Sequence, residues 1–368
     1  MQPVTKLASV LKILLGAVFI FSAVSKYVTI DSFEIYVYSF GLFPLVMCFY
    51  LSRLLIAAEL LLGIALISHR NHRFTSITSL LFLLFFVGFL VYAHLIGRTD
   101  NCHCFGDLLP FNPVQSILKN AVMIVALLFI YKYSAQDWYP RWWLVLIIYL
   151  LVAVLFGVYS YFVLHALNLL SIVLILVAMA VGILASMPFY SRWWITAPLL
   201  IAPFIATFIL TPPDSWFFKE GDVRYDKDLF ISTFVNNESD DAISDTTQVA
   251  LALPSLNKSS KLVAFFSPSC SFCRLAAEKV STIASRNDID KNKVVYVFPD
   301  GYEQNRYDDF YERANSAKFS EIRINRDLFV QITRAAFPVI LLVNDGEVVA
   351  AYDYRAINEQ QITNLLSK

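Results

Sequence analysis

Charge is divided unequally along this chain, and that division constrains what each part can fold into. The first 210 residues hold 17 Asp, Glu, Lys and Arg side chains, about 8%; the last 158 hold 41, about 26%. A soluble domain carries about 25% charged residues, so the second part is composed for water and the first is not. The whole chain is 58% hydrophobic, which excludes a purely soluble or a disordered protein. Lys+Arg and Asp+Glu balance at 29 each. No basic excess is available for nucleic acid, and no nucleic-acid partner is expected.

A bilayer core about 30 Å thick needs roughly 20 apolar residues of helix per crossing. Candidate crossings lie at about 8–25, 43–68, 74–97, 114–133, 142–163, 166–187 and 193–210. No Asp, Glu, Lys or Arg occurs in the 50 residues from Trp142 to Ser191. That stretch is too long for one helix, and His165-Ala-Leu-Asn168 divides it. Lys26 directly follows the first apolar run where a cleavage site would stand, so this run is expected to remain as an anchor. With seven crossings, Lys6, Lys12, Arg70, Arg73, Lys132, Arg141 and Arg192 share one side, and Lys26, Arg53, Arg98 and Lys119 the other. The positive-inside rule then places the N-terminus in the cytoplasm and the soluble domain outside, as for a multi-pass protein of a bacterial inner membrane facing the periplasm. Arg141-Trp142-Trp143 and Arg192-Trp193-Trp194 both start helices from that cytoplasmic face and suit the headgroup level.

After Thr211-Pro-Pro-Asp214 the composition turns polar, and 213–258 reads as a tether or as a domain's leading segment. Leu262-Val-Ala-Phe-Phe266 is a buried-strand pattern, Ser267-Pro268-Ser269 a turn, and Arg274 to Val280 the start of a helix. Val294 to Phe298 is a second strand, expected parallel to the first. Val339 to Val343, Asn344-Asp345-Gly346 and Glu347 to Tyr352 give a hairpin, and Asn358 to Leu366 a closing helix. The order strand, helix, strand, helix, hairpin, helix predicts an α/β domain with a mixed sheet over 259–368.

Cys270-Ser-Phe-Cys273 falls between the first strand and its helix. There the first thiol meets the orphan amides and positive dipole end that favour a thiolate, and the second lies one turn in. Cys270 is thus the candidate nucleophile and Cys273 the resolving thiol. Half a zinc site is the alternative, but zinc needs four ligands and no histidine follows residue 210; no metal is expected.

With Ser267-Pro-Ser-Cys-Ser-Phe-Cys-Arg274, Phe337-Pro338 before a buried strand and the Asn-Asp-Gly hairpin, residues 259–368 resemble a membrane-tethered, TlpA-like thioredoxin-fold domain. The resemblance implies a cis peptide bond before Pro338, packed against the disulfide, with Phe337 beside it. The Ser-Phe dipeptide departs from the commonest thioredoxin form and leaves the redox direction open.

A second pair lies in Arg98-Thr-Asp-Asn-Cys102-His-Cys104-Phe-Gly-Asp107, between the third and fourth crossings and facing the same compartment. So short a spacing suits a readily exchanged disulfide at the membrane surface. A static staple or a Cys-His-Cys metal site is the alternative. Gly16, Phe19, Ser22 and Lys26, then Glu59 and Gly63, then Cys102 to Asp107 make residues 1–135 resemble the MauE branch of the DoxX-like membrane proteins, four-helix proteins associated with disulfide handling. Residues 136–212 would add three crossings.

Glu59 is a carboxylate at membrane depth, where it must face a partner, a cavity or a pathway. It is either a proton acceptor or quinone hydrogen-bonder, or a structural group satisfied by Lys26 or by Ser and Tyr side chains. His94 is a candidate proton relay or a capped interfacial side chain. Tyr92 and the Phe-rich run 82–89 are packing or lipid-facing residues, and Cys48, a lone buried cysteine, takes no role. Taken together, the sequence predicts a membrane-bound thiol–disulfide oxidoreductase. Cys270/Cys273 would exchange with extracytoplasmic protein thiols, Cys102/Cys104 would pass electrons to a membrane carrier such as quinone, and net oxidation is favoured. The alternatives are a maturation factor for one secreted client and a membrane scaffold or transporter.

Overall fold

The computed structural model describes residues 3–68, 72–97, 102–107, 109, 111–133, 204–205, 207–208, 223–235 and 259–367. They fall into two compact units, one built on 3–37 and 47–208, the other on 38–46 and 223–367.

The first unit contains α1 (Pro3–Val28), α2 (Ile30–Tyr38), α3 (Leu45–Ser68), α4 (His72–Leu95), a short strand β1 (Cys104–Asp107) and α5 (Pro113–Tyr133). Four of these, α1, α3, α4 and α5, are long and apolar enough to cross a membrane. At 1.5 Å per residue each reaches the roughly 30 Å required. They coincide with the first four expected crossings. The nine-residue α2 is an addition, and the three crossings expected over 142–210 lie outside the described residues apart from four positions. The bundle core is Leu15, Phe19, Leu62, Leu66, Leu83, Met123, Leu127 and Ile130. Leu118, Val122 and Val125 form an exposed apolar stripe on α5, the surface expected to meet lipid. Helices α1 and α3 touch through glycine: a Cβ on Gly63 would lie 2.8 Å from the Gly16 carbonyl, and one on Gly16 would lie 2.8 Å from the Gly63 carbonyl. Small residues at such a crossing let the two backbones meet.

The second unit contains the four-residue helix α6 (Lys227–Phe230), which runs on as a wider turn to Val235, then β2 (Lys261–Phe265), α7 (Ser271–Arg286), β3 (Val294–Pro299), α8 (Gln304–Arg313), β4 (Ser320–Ile324), α9 (Arg326–Thr333), β5 (Val339–Asn344), β6 (Glu347–Tyr352) and α10 (Glu359–Leu366). The sheet order is β4-β3-β2-β5-β6. β2, β3 and β4 are parallel, while β5 and β6 run antiparallel. The central strands read as continuous apolar runs because both faces are covered. Val263, Phe265, Val295 and Val297 face a core with Leu328, Phe329 and Ile332 of α9 and with Phe230 and Phe234. On alternate positions, Tyr296 donates a hydrogen bond to the Ala277 carbonyl of α7, and Phe266 packs on Phe310 of α8. Asp345 and Gly346, both at positive φ, close the β5–β6 hairpin.

The sequence order needs correction between β3 and the hairpin. A strand and a second helix stand where one helix was expected. β4 is a short edge strand that buries Ile322 and Ile324 while Glu321 and Arg323 form an ion pair beside it. Those charges blunt an edge and break the apolar run by which a strand is recognised. Within 213–258, residues 223–235 pack into the core of the sheet, as a leading segment rather than a free tether.

Candidate functional site

Two cysteine pairs are candidate centres, one in each unit, and among the described residues no cluster of His, Cys, Asp and Glu could hold a metal ion. All five thiols are free.

In the α/β unit, β2 ends in the turn Ser267–Cys270, closed by the Cys270 amide on the Ser267 carbonyl at 3.0 Å. Cys270 is the N-cap of α7: its backbone is extended and its sulfur accepts the Cys273 amide at 3.1 Å. A cap that satisfies an orphan amide with sulfur favours the thiolate. A hydrogen bond from the Cys273 thiol is the largest effect, and with the Cys273 and Phe272 amides and Arg274 it brings Cys270 down to about 7, against the opposing effect of burial. Cys273 is fully buried; burial first, then the neighbouring Cys270, push it well up. The pair is therefore divided into a half-buried acidic thiol and a buried thiol that keeps its proton. The Phe337–Pro338 peptide bond is cis, and the Phe337 carbonyl oxygen lies 4.0 Å from Cys270 Sγ. Phe337 and Phe272 are partly exposed, the latter stacked on Tyr354 with centroids 5.1 Å apart. Together they give the mouth of the site an apolar rim. Ser267, Ser269 and Tyr302, not anticipated from sequence, join hydroxyls beside Cys273, whose sulfur lies 3.5 Å from the Ser267 amide.

In the helical unit, β1 lies on the C-terminal end of α1. Gly106 makes this approach: its φ is +56°, and a Cβ there would lie 2.3 Å from Thr29 Oγ1 and 2.6 Å from the Ser25 carbonyl. His103 is also at positive φ and packs on Tyr36 of α2. Both cysteines are buried. Cys102 and Ser116 of α5 share a hydrogen bond of 2.8 Å. The Ser22 hydroxyl donates to the Cys104 carbonyl at 2.8 Å and accepts from Lys26 Nζ at 2.7 Å. Lys26 in turn donates to both Glu59 oxygens at 2.7 and 2.8 Å. A hydrogen bond from Cys102, then the Lys119 and Lys26 ammonium groups, hold Cys104 at about 6 despite burial. Cys102, hydrogen-bonded to Cys104 and buried, is pushed far up.

Lys26 and Glu59 are thus joined to each other and, through Ser22, to the loop backbone at Cys104. His94 is exposed on α4 and does not line this cluster. Cys48 is buried in α3 away from it. Arg53 does not serve Glu59 but pairs with Glu34 of α2 and donates to the Phe49 carbonyl at 2.8 Å. Ser22, Lys26, Glu59, Cys104, Lys119 and Asn120 line a cavity of about 20 Å³, room for one ordered water. Lys119 and Ser116 escaped sequence reading; their α-helical spacing of three residues on α5 was the available signal.

A comparison with known protein families falls on the helical unit. Residues 4–133, from α1 to α5, match the family described as Methylamine utilisation protein MauE. Protein TlpB of Flavobacterium psychrophilum is 35% identical over 130 residues, a match covering 33% of this chain and 35% of that relative. The match therefore spans about a third of that relative's own length. No solved structure matches the chain significantly. The resemblance carried by Gly16, Ser22, Lys26, Glu59, Gly63 and the Cys102–Asp107 loop thus coincides with a family match over the same four helices, in a multi-pass membrane protein that bears an α/β thiol domain behind them.

Proposed function

We propose that the chain is a membrane-bound thiol–disulfide oxidoreductase in which Cys270/Cys273 exchange with protein thiols outside the cytoplasm and Cys102/Cys104 form a second couple in series. The observation that carries this reading is geometric: Cys270 caps α7 half-buried, its sulfur accepting the Cys273 amide at 3.1 Å, and Cys273 is fully buried behind it, a division into a reachable and a shielded thiol. That division separates an attacking thiol from a resolving one.

In the oxidising direction a client thiolate attacks Cys270 Sγ of the disulfide form. The Cys270–Cys273 bond breaks, a mixed disulfide forms, and Cys273 leaves as a thiolate that takes up a proton. A second client thiolate attacks the client sulfur of that mixed disulfide, and Cys270 leaves as the thiolate its N-cap position stabilises. The client has lost two electrons and gained a disulfide. The reduced Cys270 then attacks the Cys102–Cys104 disulfide, Cys273 resolves the adduct, and the electrons pass to the loop pair. Net oxidation is favoured because the chain has five cysteines and none of them forms a pair at membrane depth, as a conduit for cytoplasmic electrons would need. A lipid-soluble two-electron acceptor of the quinone class would reset the loop pair. Joining both couples in one chain raises their effective concentration, to about millimolar for a flexible link.

The family description "Methylamine utilisation" favours a second reading, in which the same chemistry serves one client. Trapping with Cys273→Ser separates the two. Many mixed disulfides support a general oxidoreductase, one dominant adduct a dedicated factor, and none a scaffold whose cysteines are staples. Cys102→Ser tests the series arrangement: the soluble pair is expected to accumulate in one redox state, and an unchanged distribution overturns the relay.

A further inference from the structure

The four charged or ionisable groups around the cavity in the helical unit do not cancel while Cys104 is a neutral thiol. Lys26 and Glu59 neutralise one another at 2.7 Å. Lys119 of α5 lines the same cavity, its Nζ 4.3 Å from the Phe105 ring centroid, and among the described residues Glu59 is the one carboxylate lining it. Helix α4 contributes Phe82, Leu83 and Phe86 and nothing that titrates; Asn120 is neutral. The groups facing Cys104 are therefore Cys102 from its own strand, Lys26 from α1, Glu59 from α3 and Lys119 from α5. An uncompensated charge is costly in a buried site.

We propose that Lys119 is a positioning residue that holds Cys104 as its counter-ion, so that Lys26, Glu59, Lys119 and the Cys104 thiolate form a neutral set in the dithiol form. Oxidation of the pair then removes the thiolate that balances Lys119, and Lys119 gives up a proton. The inference rests on Cys102/Cys104 being a redox couple and supplies its proton balance. The Cys270 thiolate attacks Cys102 Sγ of the loop disulfide, and Cys104 leaves as the thiolate that Lys119, taking up a proton, balances. Cys273 then loses its proton, attacks Cys270 Sγ and displaces Cys102, which takes up that proton. When the quinone-class acceptor reoxidises the loop pair, two electrons go to it with one proton from Cys102 and one from Lys119. The site is neutral before and after. The water-sized space beside Lys119 and Cys104 gives the leaving proton a first acceptor.

The test uses the full-length reduced chain in lipid nanodiscs. Iodoacetamide labelling of each cysteine is followed from pH 5 to 9 by peptide mass spectrometry. In the wild type, Cys104 is expected to reach half its maximal rate below pH 7; a half-rate at the ordinary thiol value of about 8.5 overturns the proposal without any variant. Lys119→Gln is expected to move the Cys104 half-rate up by at least one pH unit and to slow its labelling at pH 7 about tenfold or more. Lys119→Arg, which keeps the charge, is expected to restore the wild-type profile, and Cys270 is expected to be unchanged in both. An unaltered Cys104 profile in Lys119→Gln overturns the role of Lys119. The relay fails separately, when Cys102→Ser leaves the soluble pair's redox state unaltered, and that outcome does not touch the Cys104 profile.

Discussion

Cys270/Cys273 and Cys102/Cys104 meet one chemical requirement in two solvents. In the α/β unit the acidic thiol is half-buried at a helix N-cap and takes its amide from the backbone of α7. A water-facing domain can do this with no charged partner except the neighbouring Arg274. The loop pair has no helix to cap. It is buried against α1 and α5, and its acidic thiol stands beside Lys119 and Lys26, with Glu59 balancing one of the two cations. The difference teaches that backbone dipoles suffice where water can screen a thiolate. In a buried loop, where water does not reach, neighbouring side-chain charges must take over that task.

The largest expected effect bears on which pair meets the client. Cys270→Ser is expected to remove client mixed disulfides by more than about a thousandfold, in the manner of an essential nucleophile. Cys104→Ser is expected to leave the first adduct intact and block only its resetting. Trapped adducts on denaturing gels measure both, and client adducts that survive Cys270→Ser would reverse the assignment. Next in size, Glu59→Gln leaves Lys26 buried without its carboxylate. The helical unit is expected to lose about 3–5 kcal/mol, the cost of removing one partner of a buried pair. Thermal unfolding in detergent reads the loss, and proteolysis of the α/β unit, expected unchanged, shows that it is local.

Much of this contrast was legible in the sequence, for reasons that differ between the units. The apolar lengths of α1, α3, α4 and α5 locate four crossings because hydropathy is a property of single segments. Cys270, Cys273 and the Asp345-Gly346 hairpin were readable because their geometry is set within a few residues. What escaped was long-range. Nothing local announces that Ser22, Glu59 and Lys119, on three different helices, share one small cavity, or that Arg53 turns to Glu34. His94 looked like a relay by its nearness in sequence to Cys102, but it points away from the cluster into the exposed surface of α4. Phe230 and Phe234 belong to the sheet core although they stand in polar sequence. Their i, i+4 spacing was the signal, and the charged composition around them hid it.

A smaller effect tests whether the helical unit's ionic set depends on close helix contact. In Gly63→Ala the new methyl would lie 2.7 Å from Ile20 Cγ1 and 2.8 Å from the Gly16 carbonyl. The α1–α3 crossing must therefore open by a few tenths of an ångström, at a cost of about 1–3 kcal/mol for an overpacked contact. Lys26 is on α1 and Glu59 is one turn before Gly63 on α3, so the same opening lengthens their ion pair. The expected outcome is a lower unfolding temperature together with a Cys104 labelling profile moved toward higher pH. A lower unfolding temperature with an unmoved profile would mean that the ionic set does not rely on this crossing.

The finest test sets the two acidic thiols side by side in one pH titration of the wild type. Cys270 is held at about 7, below the ordinary thiol value of about 8.5. Its labelling rate is expected to be flat above pH 8 and to fall about tenfold per unit below pH 7, as the thiolate fraction falls. The sign for stability follows from the lowered value. The thiolate stabilises the reduced domain fully above about pH 8.5, and that contribution is lost as the pH falls through 7. The disulfide form has no such thiol to titrate, so the gap between reduced and oxidised unfolding temperatures should change across that window; above about pH 8.5 the reduced form should lose stability again, because Cys273 keeps its proton when folded. Cys104, held below the ordinary thiol value by Cys102, Lys119 and Lys26, should likewise keep its rate below pH 8. Raising the salt concentration to 1 M, where screening acts within about 3 Å, should move the Cys270 profile by the small share owed to Arg274. It should leave the buried Cys104 profile in place. Equal salt shifts at both cysteines would mean that water reaches the two thiolates alike, and the distinction between a capped thiol and an ion-paired one would fall.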